Sequence, residues 1–286
     1  GRARASLAIL VPSNPELMRK GRAMIFYFTG TGNSLAAAQT IARATGDMLA
    51  DIGASYKCKD LDFTLEQGEQ LGFVFPTYYW TTPAIVDTFV KLARFRTGNR
   101  EAFAPGYCFA VVSCGRFVGN AARVFETRLL ASQGINLDAS FSVRSVGNCT
   151  FLYAPAQGER REQLLANAEL EARRVAERVR QRERVHAELR NPVGVLLSAA
   201  FERDEKPCPT ASFHTLPTCI HCGRCAELCP TNTITLIEGT PRWAEMGCTR
   251  CLACLHRCPT NSIQYGKHTE TRGRYANPVL AERKGA

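Results

Sequence analysis

Short apolar runs alternate with amphipathic segments through the first two thirds of the chain. Residues 24–29 form an apolar run of strand length. Residues 33–44 read as a helix closed by Gly46. Residues 48–52 make a weak second strand, 57–68 have no clean period, and 71–75 are the third strand. Thr82 is placed to cap the next helix with Pro83 at its first position, where a missing N–H costs nothing. Ile85, Phe89 and Leu92 give that helix its apolar stripe. Residues 107–112 are the fourth strand, 120–133 a helix stopped by Gly134, and 137–146 the fifth strand. A long helix is expected from about Arg160 to Arg190, with Leu164, Ala168, Ala172, Val175 and Val179 facing inward and Asn191-Pro192 ending it. Five apolar strands alternating with helices predict an α/β architecture, a doubly wound parallel sheet covered on both faces. Ligands on such sheets bind at the carboxyl ends of the strands. The loops after strands one, three, four and five therefore carry the candidate chemistry.

The first of these loops is Thr29-Gly30-Thr31-Gly32-Asn33-Ser34. Its two glycines let the backbone turn sharply and come close to an anion. Thr29, Thr31 and Ser34 offer hydroxyl donors and Asn33 an amide. The following helix presents unpaired N–H groups and the positive end of its dipole. Neither lysine nor arginine occurs in the loop, so an anion there is held by neutral donors. A nucleoside-triphosphate loop requires Gly-Lys-Ser/Thr, which this loop lacks. The dinucleotide pattern calls for a small residue three after Gly32, where Leu35 stands. A plain helix-capping turn is the bland alternative. The hydroxyl-rich form, directly after strand one, resembles the FMN-phosphate loop of flavodoxins. That resemblance implies a five-stranded sheet of order 2-1-3-4-5 and FMN as cofactor.

The other loops agree. After strand three comes Pro76-Thr77-Tyr78-Tyr79-Trp80-Thr81-Thr82-Pro83, and after strand four Ser113-Cys114-Gly115-Arg116-Phe117-Val118-Gly119-Asn120. Gly147-Asn148-Cys149-Thr150-Phe151 follows strand five. Three consecutive aromatics at a sheet rim cannot all be core, and flat rings suit the offset stacking an isoalloxazine needs. The same aromatics would also serve a partner interface. Thr77, Tyr78, Tyr79, Trp80, Ser113, Cys114, Gly115, Phe117 and Gly119 are the expected flavin contacts. In place and character these loops resemble the two flavin-contacting loops of flavodoxins. One departure is that Thr81 stands near the glycine that in many flavodoxins turns its peptide toward the flavin. Cys114 and Cys149 sit on ligand-facing loops, but no histidine lies there to activate them. Cys58 and Cys108 are expected to be inert.

The C-terminal part carries the strongest signal. Cys219-x-x-Cys222-x-x-Cys225-x-x-x-Cys229-Pro230 is followed by Cys248-x-x-Cys251-x-x-Cys254-x-x-x-Cys258-Pro259, and both runs continue Cys-Pro-Thr-Asn-x-Ile. This is the spacing of bacterial two-cluster ferredoxins, in which the fourth cysteine of each run ligates the other cluster. One [4Fe-4S] cluster is thus expected on Cys219, Cys222, Cys225 and Cys258, the other on Cys229, Cys248, Cys251 and Cys254. Ile220, Leu228, Ile234, Leu252, Leu255 and Ile263 are the expected apolar shell. Zinc sites favour two close pairs over a triplet plus a distant fourth, and a disulfide framework would require export. A domain of about 50 residues has too little core to stand alone, so the clusters must hold it together. His221 and His256, between the ligands, read as surface residues, and Cys208 as a free linker thiol.

Composition adjusts this picture only slightly. The 286 residues are 45% hydrophobic, as a globular chain is, and contain no apolar run long enough to span a membrane. Thirteen cysteines are unusual, and eight fall between Cys219 and Cys258. The formal charge of +10 hints at a nucleic-acid partner. Two oxidised clusters and a bound phosphate would reduce it to about +4. Between Glu159 and Arg190 nine arginines mix with seven glutamates, which fits an ion-paired helix face better than a nucleic-acid surface. The arginine-rich end with Arg178, Arg180, Arg182 and Arg184 is expected to project toward the cluster domain or an acidic partner. The whole pattern resembles the bacterial and archaeal two-domain family with a flavodoxin-like part and a two-cluster ferredoxin part. It divides the chain into an extension outside the fold (1–23), a flavodoxin-like FMN domain (24–192), a linker (193–214), an α+β ferredoxin domain (215–266) and a polar tail (267–286). The resemblance implies an electron-transfer flavo-iron–sulfur protein, cytoplasmic, acting on a redox partner protein or a small-molecule acceptor. The alternative is a flavin-dependent reductase of a small molecule, with Tyr78, Tyr79 or Cys114 as proton donor. Oligomeric state is not legible.

Overall fold

The computed structural model describes residues 23–186 and 210–282. Residues 1–22 of the expected extension, Cys208 and the expected stop at Asn191-Pro192 lie outside them, whereas Ala23, expected in the extension, is buried and its carbonyl accepts the Met48 N–H. Five parallel strands form the central sheet: β1 (Met24–Tyr27), β2 (Met48–Asp51), β4 (Gln70–Pro76), β6 (Tyr107–Cys114) and β7 (Ala139–Arg144). Their order is β2-β1-β4-β6-β7, the doubly wound arrangement that the apolar runs predicted. One face is covered by α1 (Asn33–Thr45) and α5 (Gly158–Arg180), which meet Ile25, Tyr27, Val74, Val111 and Phe141. The other face meets α3 (Ala84–Leu92) and α4 (Ala121–Gln133) through a phenylalanine-rich core of Phe26, Phe73, Phe75, Phe89, Phe95 and Phe125. Burying such side chains removes about 1.5–3 kcal/mol worth of apolar surface each from water, which fixes the register of the strands.

The expected second strand ends at Asp51, an unforeseen helix α2 (Ile52–Cys58) follows, and the segment 57–68 without a clean period holds β3 (Asp62–Thr64). β3 pairs in parallel with β5 (Arg94–Arg96), and Arg94 forms a bidentate pair with Asp62 at 2.6 and 2.8 Å. Three-residue strands are too short for alternation to register. The start of α3 also differs from expectation. Pro83 is its N-cap, and Thr82 instead donates its hydroxyl to the Ala121 carbonyl at 2.8 Å, joining the third and fourth loops.

The long helix is shorter than expected and its arginines point elsewhere. α5 stops at Arg180, and the chain turns so that Ser140 N–H reaches the Val185 carbonyl. Arg178 pairs with Glu183 and lies over Phe141, Arg180 pairs with Glu177, and Arg184 pairs with Asp138. The carbonyl of Glu183 accepts the hydroxyl of Tyr107, the first residue of β6. The arginine-rich end therefore lies at the amino ends of the strands, opposite the cluster domain. Arg178, Arg180 and Arg184 are paired locally, and the end does not project toward the cysteine-rich domain, the first of the two expected directions.

The C-terminal part is built from two antiparallel pairs. β8 (Phe213–Thr215) pairs with β11 (Ile263–Tyr265), and β9 (Ile234–Ile237) with β10 (Thr240–Trp243). Two four-residue helices, α6 (Arg224–Glu227) and α7 (Ala253–His256), complete the repeat. Ile234, Leu252, Leu255 and Ile263 are buried with Phe213, Cys229 and Cys254. Ile220 is 59% exposed and stands outside that shell. Residues 267–282 fold back on the flavodoxin-like part, with Tyr275 buried, and end in α8 (Val279–Glu282).

Candidate functional site

All the expected loops meet in one cleft at the carboxyl ends of the strands. It encloses about 470 Å³, within the range of small-molecule and cofactor pockets. Thr29, Gly30, Thr31, Asn33, Ser34, Thr77, Tyr78, Tyr79, Trp80, Ser113, Cys114, Gly115 and Phe117 all line it. Gly32 and Gly119 shape the loops instead. Gly32 has φ 99° as the N-cap of α1. Gly119 has φ 68°, and a Cβ there would lie 2.3 Å from Trp80 Cβ, so only glycine lets the third and fourth loops close on each other.

The first loop presents hydroxyl hydrogens to the cleft. Thr29 Oγ1 accepts the Gly32 N–H at 2.9 Å, and Thr31 Oγ1 accepts Asn148 Nδ2 at 2.7 Å. A hydroxyl that already accepts keeps its own hydrogen for an anion. Ser34 and Ser113 share a 2.8 Å hydrogen bond, so their pair retains one more. Asn33 does not act as the expected anion donor. Its Nδ2 donates to the Val146 carbonyl at 2.8 Å, and its Oδ1 accepts Tyr275 Oη and Asn277 Nδ2.

Tyr78 to Thr81 form a tight turn in which Tyr78 and Thr81 exchange backbone hydrogen bonds. Tyr79 (φ 51°) and Trp80 (φ 62°) are both left-handed without being glycine. Strain of this kind collects at ligand sites. Tyr79 stacks on Phe151 at 6.2 Å, and the Arg250 guanidinium lies 4.8 Å over its ring. Burial pushes the Tyr78 and Tyr79 hydroxyls up, and drives the Cys114 thiol to about 11 and Cys149 to about 12. Burial therefore favours the protonated form of both thiols near neutrality.

Three lining residues come from the cluster domain and were not legible in the sequence: Arg250, Cys251 and Leu252. A Cβ at Gly30 would lie 2.2 Å from the Cys251 carbonyl oxygen, so the first loop and the second cysteine run touch backbone to backbone. The domain is seated by further contacts. Lys57 Nζ donates to the carbonyls of Ala226 and Glu227 at the end of α6, where a cation is favoured. Arg272 donates to the Thr150 carbonyl at 2.7 Å. His256, far from being a surface residue, is buried between the parts, donating to the Asn148 carbonyl and accepting the Tyr275 N–H. Burial lowers it to about 4, so it is neutral.

On the other side of Cys251 lies a second cavity, lined by Cys229, Cys248, Cys251 and Cys254 with Phe213, Ile234 and Leu252. Cys229 belongs to the first run, yet it meets the triplet of the second. The reciprocal turn is tied by Thr218 Oγ1 and Ser262 Oγ at 2.8 Å, which brings the end of the second run beside Cys219. Four cysteines around one apolar-walled cavity fit a thiolate-held cluster. The repeat extends to the backbone. His221 and Arg250 are both left-handed (φ 54°), as are Gly223 (72°) and Leu252 (55°). Leu252 takes the strained place because its side chain borders both cavities.

The chain matches the family described as 4Fe-4S dicluster domain over residues 218–262. The C-terminal part is thus similar to iron–sulfur dicluster domains, and it is joined to a five-stranded doubly wound parallel sheet. Among solved structures it resembles two proteins described as "putative flavoprotein". One, from Bacteroides uniformis, has TM-score 0.30 and 16% identity, over 51% of this chain and 99% of that one. The other, from Bacteroides eggerthii, has TM-score 0.27 and 14% identity, over 43% and 87%. A Trp repressor binding protein from Bacillus subtilis has TM-score 0.30 and 14% identity, over 52% and 96%. None of the curated proteins compared with the chain matches it. Among the described residues, no helix is long and apolar enough to cross a membrane.

Proposed function

We propose that the protein carries electrons between an FMN in the interdomain cleft and two [4Fe-4S] clusters in the C-terminal domain. The supporting observation is the position of Cys251, which lines the cleft and the four-cysteine cavity at once. When bound, FMN supplies two-electron chemistry and each cluster one-electron chemistry. In this reading the hydroxyls of Thr29, Thr31 and the Ser34–Ser113 pair hold the phosphate with the first-turn N–H groups of α1. Tyr79 and Trp80 flank the ring, while Arg250 and Leu252 close the cleft over it and exclude water. Cys229, Cys248, Cys251 and Cys254 hold the near cluster, and Cys219, Cys222, Cys225 and Cys258 the far one.

The alternative, reduction of a small molecule at the flavin, needs a proton donor in the cleft. The candidates Tyr78, Tyr79 and Cys114 are all made weaker acids by burial, so the carrier reading is preferred. Anaerobic purification with iron, sulfide and flavin quantitation tests the proposal. About eight iron atoms and one FMN per chain are expected. Eight irons with no affinity for FMN would leave a ferredoxin beside an unrelated cleft, and overturn it.

A further inference from the structure

A chain of hydrogen bonds runs from the cluster domain into both sides of the phosphate loop. The backbone N–H of Tyr275 donates to His256 Nδ1 at 3.1 Å. That nitrogen is an acceptor, so the ring hydrogen is on Nε2, which donates to the Asn148 carbonyl at 2.7 Å. Asn148 Nδ2 donates to Thr31 Oγ1 at 2.7 Å. The Tyr275 hydroxyl returns to the loop by donating to Asn33 Oδ1 at 2.5 Å, and Asn33 is held in turn against the Val146 carbonyl. From the far side, the Asn277 N–H donates to the Thr31 carbonyl at 2.7 Å, and Leu280 packs against Gly32.

This bonding explains two features that the loop alone does not. The Thr31 hydroxyl accepts from Asn148, so its own hydrogen stays available for a ligand in the cleft that Thr31 lines. Asn33 Oδ1 is held by Tyr275 and Asn277 and its Nδ2 by the Val146 carbonyl, so its side chain fixes the loop. Asn148 and Val146 belong to the loop after the fifth strand, while His256 on the Asn148 carbonyl and Tyr275 and Asn277 on Asn33 Oδ1 brace these orientations from outside the flavodoxin-like part.

We propose that His256 and Tyr275 are positioning residues of the phosphate loop, so that the C-terminal segment of the cluster domain sets affinity for the phosphate of the bound flavin. This rests on the reading that the cleft holds FMN, and it adds that the flavodoxin-like part grips the phosphate only while the C-terminal segment is docked. The ring of riboflavin meets the same cleft walls but makes no use of the loop. The two flavins therefore separate a positioning role from general loosening.

The test is titration of flavin-stripped, cluster-loaded full-length protein, followed by flavin fluorescence quenching, with FMN and with riboflavin. Tyr275→Phe and His256→Leu should each weaken FMN about tenfold, the factor that 1.4 kcal/mol makes, and leave riboflavin within about twofold. His256→Gln offers an amide donor and a carbonyl acceptor in place of Nε2 and Nδ1, and should restore most of the FMN affinity. Iron content should stay at the wild-type value in all three. Equal losses for both flavins, or unchanged FMN affinity in Tyr275→Phe and His256→Leu, would overturn the proposal. Failure of the wild-type protein to bind either flavin would instead overturn the reading of the cleft.

Discussion

Thr231 and Thr260 occupy equivalent places, two residues after the crossing cysteines. Thr231 Oγ1 lies 3.6 Å from Cys229 Sγ and 2.6 Å from Thr233 Oγ1. Thr260 Oγ1 lies 3.7 Å from Cys258 Sγ and 2.6 Å from Ser262 Oγ. The neighbouring hydroxyl can supply the hydrogen that each threonine accepts, which leaves the threonine to donate to sulfur. Hydrogen bonds to cluster sulfurs raise the reduction potential by stabilising the more negative state. Thr231→Val should therefore lower the potential of the cluster served by Cys229, and Thr260→Val that of the other. Each shift should be on the order of 60 mV, a tenfold change in a one-electron equilibrium. EPR-monitored redox titration checks this, and movement of both signals by either variant would contradict the ligand assignment. The spacing marked all eight cysteines as candidate ligands. The hydroxyls that tune them were visible only as a repeated Cys-Pro-Thr-Asn, with no sign of their direction.

Between elements, the two halves of the molecule meet through a contact of two loops. Gly30 touches the Cys251 carbonyl, and Gly53 admits Pro230 beside α2. Gly30→Ala should keep both halves folded, since the clash lies between them, and about eight irons should still be bound. It should weaken FMN binding at least tenfold, because the Arg250–Leu252 cover can no longer close. Comparing iron and flavin content of the purified variant checks this; wild-type flavin content would contradict it. Most elements were legible: the five strands, α1, α3 and α4 follow from apolar runs and glycine stops. The end of α5 was not, because its arginines keep a helical pattern through Arg184 while the backbone turns at Gln181. His256 was misjudged for a related reason. A lone histidine between cysteines carries no sequence signal that a backbone carbonyl from the fifth loop waits above it. Residues 267–282, polar by composition, gave no hint that Tyr275 would be buried against Asn33.

For the molecule as a whole, the sheet supplies a rigid rim of loops and the cluster domain closes them into a site that neither part has alone. The cleft walls were readable from the loops after the strands. The roof was not, because the posture of one domain on the other is set by side-chain to backbone contacts such as Lys57 to Ala226, Arg272 to Thr150 and His256 to Asn148. Cys251 and Leu252 then border both the cleft and the four-cysteine cavity. The most direct measurement is pulse reduction of the anaerobic, fully loaded protein, with flavin and cluster absorbance followed in time across a range of protein concentrations. Electron exchange between the two chromophores should be first order, with a rate independent of protein concentration and strongly reduced in Gly30→Ala. A rate proportional to protein concentration, or no exchange at all, would contradict the shared wall at Cys251.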